Sequence, residues 1–72
     1  MRYDYSKLRG RIAEKYGTNA HFAEKMGLSE RGLWLKMKGK TFFKQSEIQK
    51  AIELLALDDS DINAYFFTRE VQ

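Results

Sequence analysis

The side chains best suited to binding chemistry lie close together between residues 30 and 44. This stretch combines aromatic, aliphatic, acidic and basic groups. Its candidate binding residues are Glu30, Arg31, Trp34, Leu35, Lys36, Lys38, Lys40, Phe42 and Lys44. Arginine pairs with guanine edges, lysine holds phosphates, and tryptophan and arginine are favoured at the centres of protein interfaces. These residue types therefore indicate recognition of a macromolecule.

The remaining polar residues form no pattern typical of catalysis or metal binding. His21 is the only histidine and the chain has no cysteine, so no set of nitrogen and sulfur ligands can form. Asp58, Asp59 and Asp61 lack the spacing of a calcium loop, whereas acids at a helix start stabilise the helix dipole. The sequence therefore predicts a protein that is not an enzyme and needs no metal or cofactor.

Charge is distributed unevenly along the 72 residues. Residues 1–50 hold twelve of the thirteen lysines and arginines, and residues 51–72 hold five of the ten acids. A basic lobe suits either a polyanion such as DNA or an acidic protein surface. No apolar run approaches the ~18 residues of a membrane span, and the N-terminus lacks the apolar core of a signal peptide. We expect one soluble domain in a reducing cytoplasm.

Two short helices in direct succession are expected to position the candidate binding residues. Thr18 is a typical N-cap and Gly27 a typical stop for the first of them. Ser29 is the expected N-cap and Gly39 the expected stop of the second helix, which is predicted to run from Glu30 to about Lys38. Residues 18–39 are therefore predicted to form a helix-turn-helix.

Further helices are expected on both sides of this unit. An apolar face predicts a first helix that begins after Asp4 and ends at Gly17. A fourth helix is expected over residues 45–55, with Ser46 and Gln49 as a capping box, and a short last helix is expected after residue 58. The tail, residues 68–72, is expected to be frayed. The predicted fold is an all-α, five-helix, single domain.

The chain resembles the lambda-repressor and Cro-like helix-turn-helix domains of bacteriophages. The resemblance covers residues 4–67 and rests on the block FAEKMGLS at residues 22–29, the pair Gly39 and Lys40, and the five-helix layout. Ala23 and Gly27 match the small packing residue and the turn glycine of that family. The chain also looks like small Cro-like regulators and modulator-of-repression proteins of lactococcal phages. The resemblance implies control of phage transcription in the cytoplasm of a bacterial host.

In such domains the third helix enters the major groove of DNA, and its matching positions here are Glu30, Arg31, Trp34 and Leu35. At about 100° per residue, Leu33 points into the core and Leu35 points away from it. Trp34 then lies at the boundary, either exposed or folded over one of the two following phenylalanines. This face offers one good base-reading group, Arg31, beside an aliphatic centre. An exposed apolar patch favours a protein partner.

The residues after the third helix extend this surface. Phe42 and Phe43 cannot both point inward from an extended segment, so one of them is expected in the core and the other on the surface. Lys36, Lys38 and Lys40, together with a fourth lysine at position 44, could hold phosphates or the acids of a partner.

The sequence therefore predicts a regulator of the lysis–lysogeny switch that binds the phage's main repressor. Operator DNA is a target either jointly with that repressor or, in the alternative reading, alone. In the alternative, a Cro-like repressor reads DNA through Arg31 as a homodimer that spans half-sites about 34 Å apart. Phe67 could mediate such dimerisation.

Overall fold

The computed structural model describes residues 3–69, which form five α-helices and one 3-10 helix. In chain order these are α1 (Ser6–Tyr16), α2 (Asn19–Met26), α3 (Glu30–Met37), α4 (Gln45–Leu54), a 3-10 helix (Asp59–Asp61) and α5 (Ile62–Phe66). The predicted all-α class and five-helix layout are confirmed. None of the helices formed by residues 3–69 has the length and apolar character that a membrane crossing requires.

The first three helices begin where the capping residues of the sequence place them. Asp4 Oδ1 accepts a hydrogen bond from the Ser6 amide at 2.8 Å. The hydroxyl of Thr18 accepts from the third amide after it, and Ser29 Oγ accepts from the Gly32 amide at 2.9 Å. Each bond satisfies an amide that has no partner within its own helix. The hydrogen bond from the Ser6 amide also lowers the pKa of Asp4.

Helices α2, α3 and α4 are each followed, within two residues, by a residue with positive φ. Gly27 (φ 77°), Gly39 (φ 80°) and Ala56 (φ 53°) occupy these positions. In each case the next residue's amide bonds back to a carbonyl five residues earlier, as Leu57 N–H does to the Ile52 oxygen at 2.9 Å. These are Schellman motifs, which favour glycine because left-handed backbone places a Cβ too close to a carbonyl oxygen.

One hydrophobic core lies between the helices and orients the second half of the helix-turn-helix. Its fully buried large side chains are Leu8, Ile12, Phe22, Leu33, Leu55 and Phe66. They come from α1, α2, α3, the end of α4 and α5, so the predicted apolar faces converge as expected. Tyr16 lies at the edge of this core, and its hydroxyl donates to the Leu54 carbonyl at 3.0 Å.

The two ends of the described chain are joined. Tyr3 and Arg69 form an antiparallel β-bridge, and the Asp4 amide donates to the Thr68 carbonyl at 2.6 Å. The Thr68 hydroxyl bonds in turn to the Ala64 carbonyl at 2.7 Å. The expectation of a frayed tail is therefore wrong for residues 68 and 69, because pairing with the N-terminal segment supplies partners. The rest of that tail, residues 70–72, lies outside the described residues.

Candidate recognition surface

Helix α3 has a defined orientation because both of its ends and its inner face are fixed. Ser29 caps its first turn, and Gly39 closes its last turn. Leu33 and Met37 are buried in the core, as the helical periodicity predicts. Glu30 and Arg31 consequently lie on the exposed side at the start of the helix.

Trp34 also lies on this exposed side, and 48% of its surface is accessible. The Lys38 ammonium lies 5.9 Å from the centre of its ring, a cation–π arrangement. Among the described residues 3–69, the ring takes part in no aromatic pair, so the reading in which Trp34 folds over a neighbouring phenylalanine is wrong. Trp34, Glu30 and Arg31 line a shallow depression of about 290 Å³.

Leu35 is less exposed than its predicted position at the centre of the outward face implies, because the structure has it half-buried. The loop formed by residues 38–44 begins at the end of this helix, where the amides of Lys40 and Thr41 bond to the Leu35 carbonyl at 2.9 and 3.4 Å. These bonds fix the main chain at the start of the loop.

Lys36 also differs from its predicted position on the surface. It is 8% exposed, and its ammonium lies 3.1 Å from Glu47 Oε1 and 3.0 Å from the Phe42 carbonyl oxygen. A lysine of the candidate set is thus engaged within the molecule and is not available to phosphates or to a partner. Lys36 is buried because the first turn of α4 brings the Glu47 carboxylate against α3.

Glu47 is a residue of this region that sequence reasoning missed. It replaces the expected capping box of Ser46 and Gln49, because its carboxylate accepts from the Lys44 amide at 2.8 Å at the start of α4. Burial opposes ionisation of this carboxyl group, but the hydrogen bonds from Lys44 and Lys36 outweigh it and lower the pKa of Glu47. The one feature of the sequence that could have indicated this cap is the position of Glu47, three residues after Lys44, which is the N-cap of α4.

Of the two adjacent phenylalanines, one points into the core and the other to the surface, as predicted. Phe43 turns inward, and its ring lies 5.5 Å from that of Tyr5 and 5.4 Å from that of Phe66, both edge-on. Phe42 turns outward and is 76% exposed. Its ring is therefore accessible to a partner.

The other candidate cations are exposed. Ion pairs within residues 3–69 join Arg11 to Glu14 and Lys36 to Glu47. Between residues 30 and 44, the exposed cations that have no acidic partner among the described residues are Arg31, Lys38, Lys40 and Lys44. The surface of α3 and the 38–44 loop therefore presents two exposed aromatic side chains and several free positive charges. We call this set, with Glu30, the recognition surface.

Residues 3–69 contain no group of side chains that could hold a metal ion. His21, the one histidine, packs edge-on against Tyr16, and its Nδ1 lies 3.2 Å from the Tyr16 carbonyl oxygen. Its contacts are those of a side chain that joins α2 to the end of α1.

Two comparisons with known proteins find a match for this chain. A family model described as a protein of unknown function, DUF739, matches residues 1–69. The chain is 50% identical to the modulator of repression (MOR) of the temperate bacteriophage TP901-1 from Lactococcus lactis, whose solution structure superposes with a TM-score of 0.82. The match covers 100% of this chain and 97% of that one. No curated protein matches the chain.

Proposed function

The chain belongs to the DUF739 family, and on that premise we propose that it regulates a phage lysis–lysogeny switch by binding the phage's repressor protein. The similarity to a modulator of repression over the full length supports the regulatory role. The expected resemblance to modulator-of-repression proteins is confirmed by that match. The repressor as the direct partner is our own step, and it rests on the composition of the recognition surface.

The observation that carries the proposal is the exposure of two aromatic side chains on the part of the fold that reads DNA in helix-turn-helix proteins. Trp34 on α3 and Phe42 in the following loop are 48% and 76% exposed. Bases in the major groove are distinguished mainly by hydrogen bonds, and Arg31 is the one arginine of this surface that could form a bidentate pair with guanine. Aromatic side chains surrounded by cations are typical of protein contact sites.

In the proposed complex Trp34 and Phe42 are buried against the repressor. Arg31 and Lys38 pair with acids of the repressor at the edge of the contact, where such pairs set orientation and association rate. If the complex covers the repressor's DNA-binding surface, repression is relieved. In the alternative mechanism, the two proteins bind the operator together as a joint complex. Repressors act on DNA, so the proposed place of action is the cytoplasm of the bacterial host.

The second candidate function is a Cro-like repressor that binds operator DNA by itself. The exposure of Arg31 at the start of α3 favours it, because that turn contacts bases in such domains. Lys38, Lys40 and Lys44 would then hold phosphates. Glu30 opposes this reading, because its carboxylate would be brought close to the phosphates.

A pair of titrations separates the two functions. The protein alone is titrated into labelled DNA that carries the phage operators, and then into a preformed complex of that DNA with the cognate repressor, the repressor encoded in the same phage genome. We expect no sequence-specific shift by the protein alone and a release or further shift of the repressor complex. A tight, sequence-specific shift by the protein alone would establish the Cro-like function instead.

A further inference from the structure

The main chain of the 38–44 loop is held by one ion pair, between the buried Lys36 and the half-buried Glu47. The Lys36 ammonium donates to the Phe42 carbonyl at 3.0 Å, and its partner carboxylate, Glu47, accepts from the Lys44 amide at 2.8 Å. The two charged groups are 3.1 Å apart. The peptide groups on both sides of Phe43 are thus fixed by the same pair.

The Phe43 ring completes this arrangement. It is wedged edge-on between Tyr5 and Phe66, and the Lys36 ammonium lies 6.0 Å from its centre. In an extended segment successive side chains point to opposite sides. An inward Phe43 held at both neighbouring peptides therefore leaves its predecessor, Phe42, directed to solvent.

We propose that Lys36 and Glu47 are positioning residues for the recognition surface, which hold Phe42 in the orientation that the partner binds. This inference rests on the proposed function. The partner contacts Phe42, while the ion pair acts from beneath through the loop main chain. The specificity of this contact then depends on two residues that the partner does not touch.

The composition of the site favours a positioning role over a purely stabilising one. Burial of an ion pair carries a desolvation cost, and apolar residues of similar volume often stabilise a fold as well or better. The pair here satisfies two main-chain groups of a loop, which apolar side chains could not do. Preorganisation of a loop improves affinity because less conformational entropy is lost on binding.

A double-mutant cycle with the cognate repressor tests the proposal. Lys36→Met retains most of the length of the side chain and removes its charge. We expect it to weaken repressor binding about tenfold, comparable with the entropy of ordering one residue's main chain. In the Phe42→Ala background the same change should alter affinity less than twofold, because there is no ring left to position. Lys50→Met, an exposed lysine of α4 outside the recognition surface, controls for the loss of one charge.

Equal losses from Lys36→Met in both backgrounds, or no loss in the parent, would overturn the positioning role. Circular dichroism first identifies a temperature at which every variant is folded, and binding is then measured at that temperature. If Lys36→Met does not fold under any condition, Glu47→Gln is used in the same cycle. Glu47→Gln keeps an oxygen that can accept from the Lys44 amide but removes the ion pair. We again expect repressor affinity to fall in the parent and to change little in the Phe42→Ala background.

Amide hydrogen exchange provides a readout without the repressor. We expect Lys36→Met to accelerate exchange of the Lys44 amide about tenfold relative to the amide of Phe22 in α2. If the two amides accelerate equally, the pair does not hold the loop and the inference is wrong. If Lys44 alone accelerates but Phe42→Ala leaves repressor affinity unchanged, the positioning is real and the proposed recognition surface is what fails.

Discussion

Removal of the Phe42 ring is the most direct test of the recognition surface. A phenylalanine side chain buries about 200 Å² when it is fully covered. With 76% of its surface accessible in the free protein, Phe42 offers on the order of 150 Å² to a partner. At ~25 cal/mol per Å² this area corresponds to an upper bound of about 4 kcal/mol.

The expected loss is smaller than this bound because alanine keeps the Cβ and a partner covers only part of the ring. About half of the bound, ~2 kcal/mol, corresponds to a roughly 30-fold increase in the dissociation constant of the repressor complex. The free energy of unfolding should change by less than ~0.5 kcal/mol, because an exposed ring contributes little to the core. Isothermal titration calorimetry with the cognate repressor and urea unfolding measure the two quantities.

Phe67→Ala is the matched control for this substitution. Phe67 is the third exposed large apolar residue in the described part of the chain, with 44% accessible, but it packs edge-on against Tyr3 near the chain ends. We expect this control to leave repressor affinity within about twofold, since Phe67 lies outside the recognition surface. A Phe42→Ala variant that bound the repressor as tightly as the parent, or an equal loss of affinity in both variants, would refute the proposed recognition surface.

Three further predictions concern stability. Ala56→Gly should raise the free energy of unfolding by about 0.5–1 kcal/mol in a urea titration, because relief of the left-handed strain at φ 53° outweighs the added chain entropy; an unchanged or lower stability would show that Ala56 is not strained. Thr18→Ala should cost about 1 kcal/mol and lower the melting temperature by roughly 4–8 °C, because the amide of His21 loses its capping partner; Thr18→Ser, which keeps the hydroxyl, is its control. Hydrogen bonds from Lys44 and Lys36 lower the pKa of Glu47 in the folded protein, so the stability that its carboxylate contributes is fully present above the unfolded pKa and is lost as the pH falls through the folded pKa. The difference in unfolding free energy between the parent and Glu47→Gln should therefore shrink as the pH falls below the ordinary range of a glutamate, and a difference that grows with acidity would contradict the pairing of Glu47 with Lys36.

The helix-turn-helix could be predicted from the sequence because its signals act over short distances. Thr18 and Ser29 bond to amides three residues away, and Gly27 and Gly39 relieve strain at their own positions. The buried side of α3 followed from periodicity, since Leu33 and Met37 lie one turn apart. The division between the inward Phe43 and the outward Phe42 also followed, because the two side chains alternate along an extended segment, although the sequence did not say which of them pointed inward.

The composition of the recognition surface depended on contacts between elements. Leu35 was expected at the exposed centre of this surface and is half-buried in the structure. Lys36 was expected to be exposed and is buried, because Glu47 on α4 and the Phe42 carbonyl supply partners for its ammonium. Trp34, which helical geometry left at a boundary, is exposed because no aromatic ring of the described residues 3–69 reaches it.

The sequence alone determined the five α-helices, the caps of α2 and α3 and the residues that face the core, since these depend on propensity and periodicity within a few positions. The full-length similarity to a modulator of repression agrees with the resemblance that the sequence suggested. Only the tertiary structure decided which side chains of α3 remain free for a partner. That choice depends on what the 38–44 loop and the first turn of α4 cover, and the contacts that fix it join residues of separate elements.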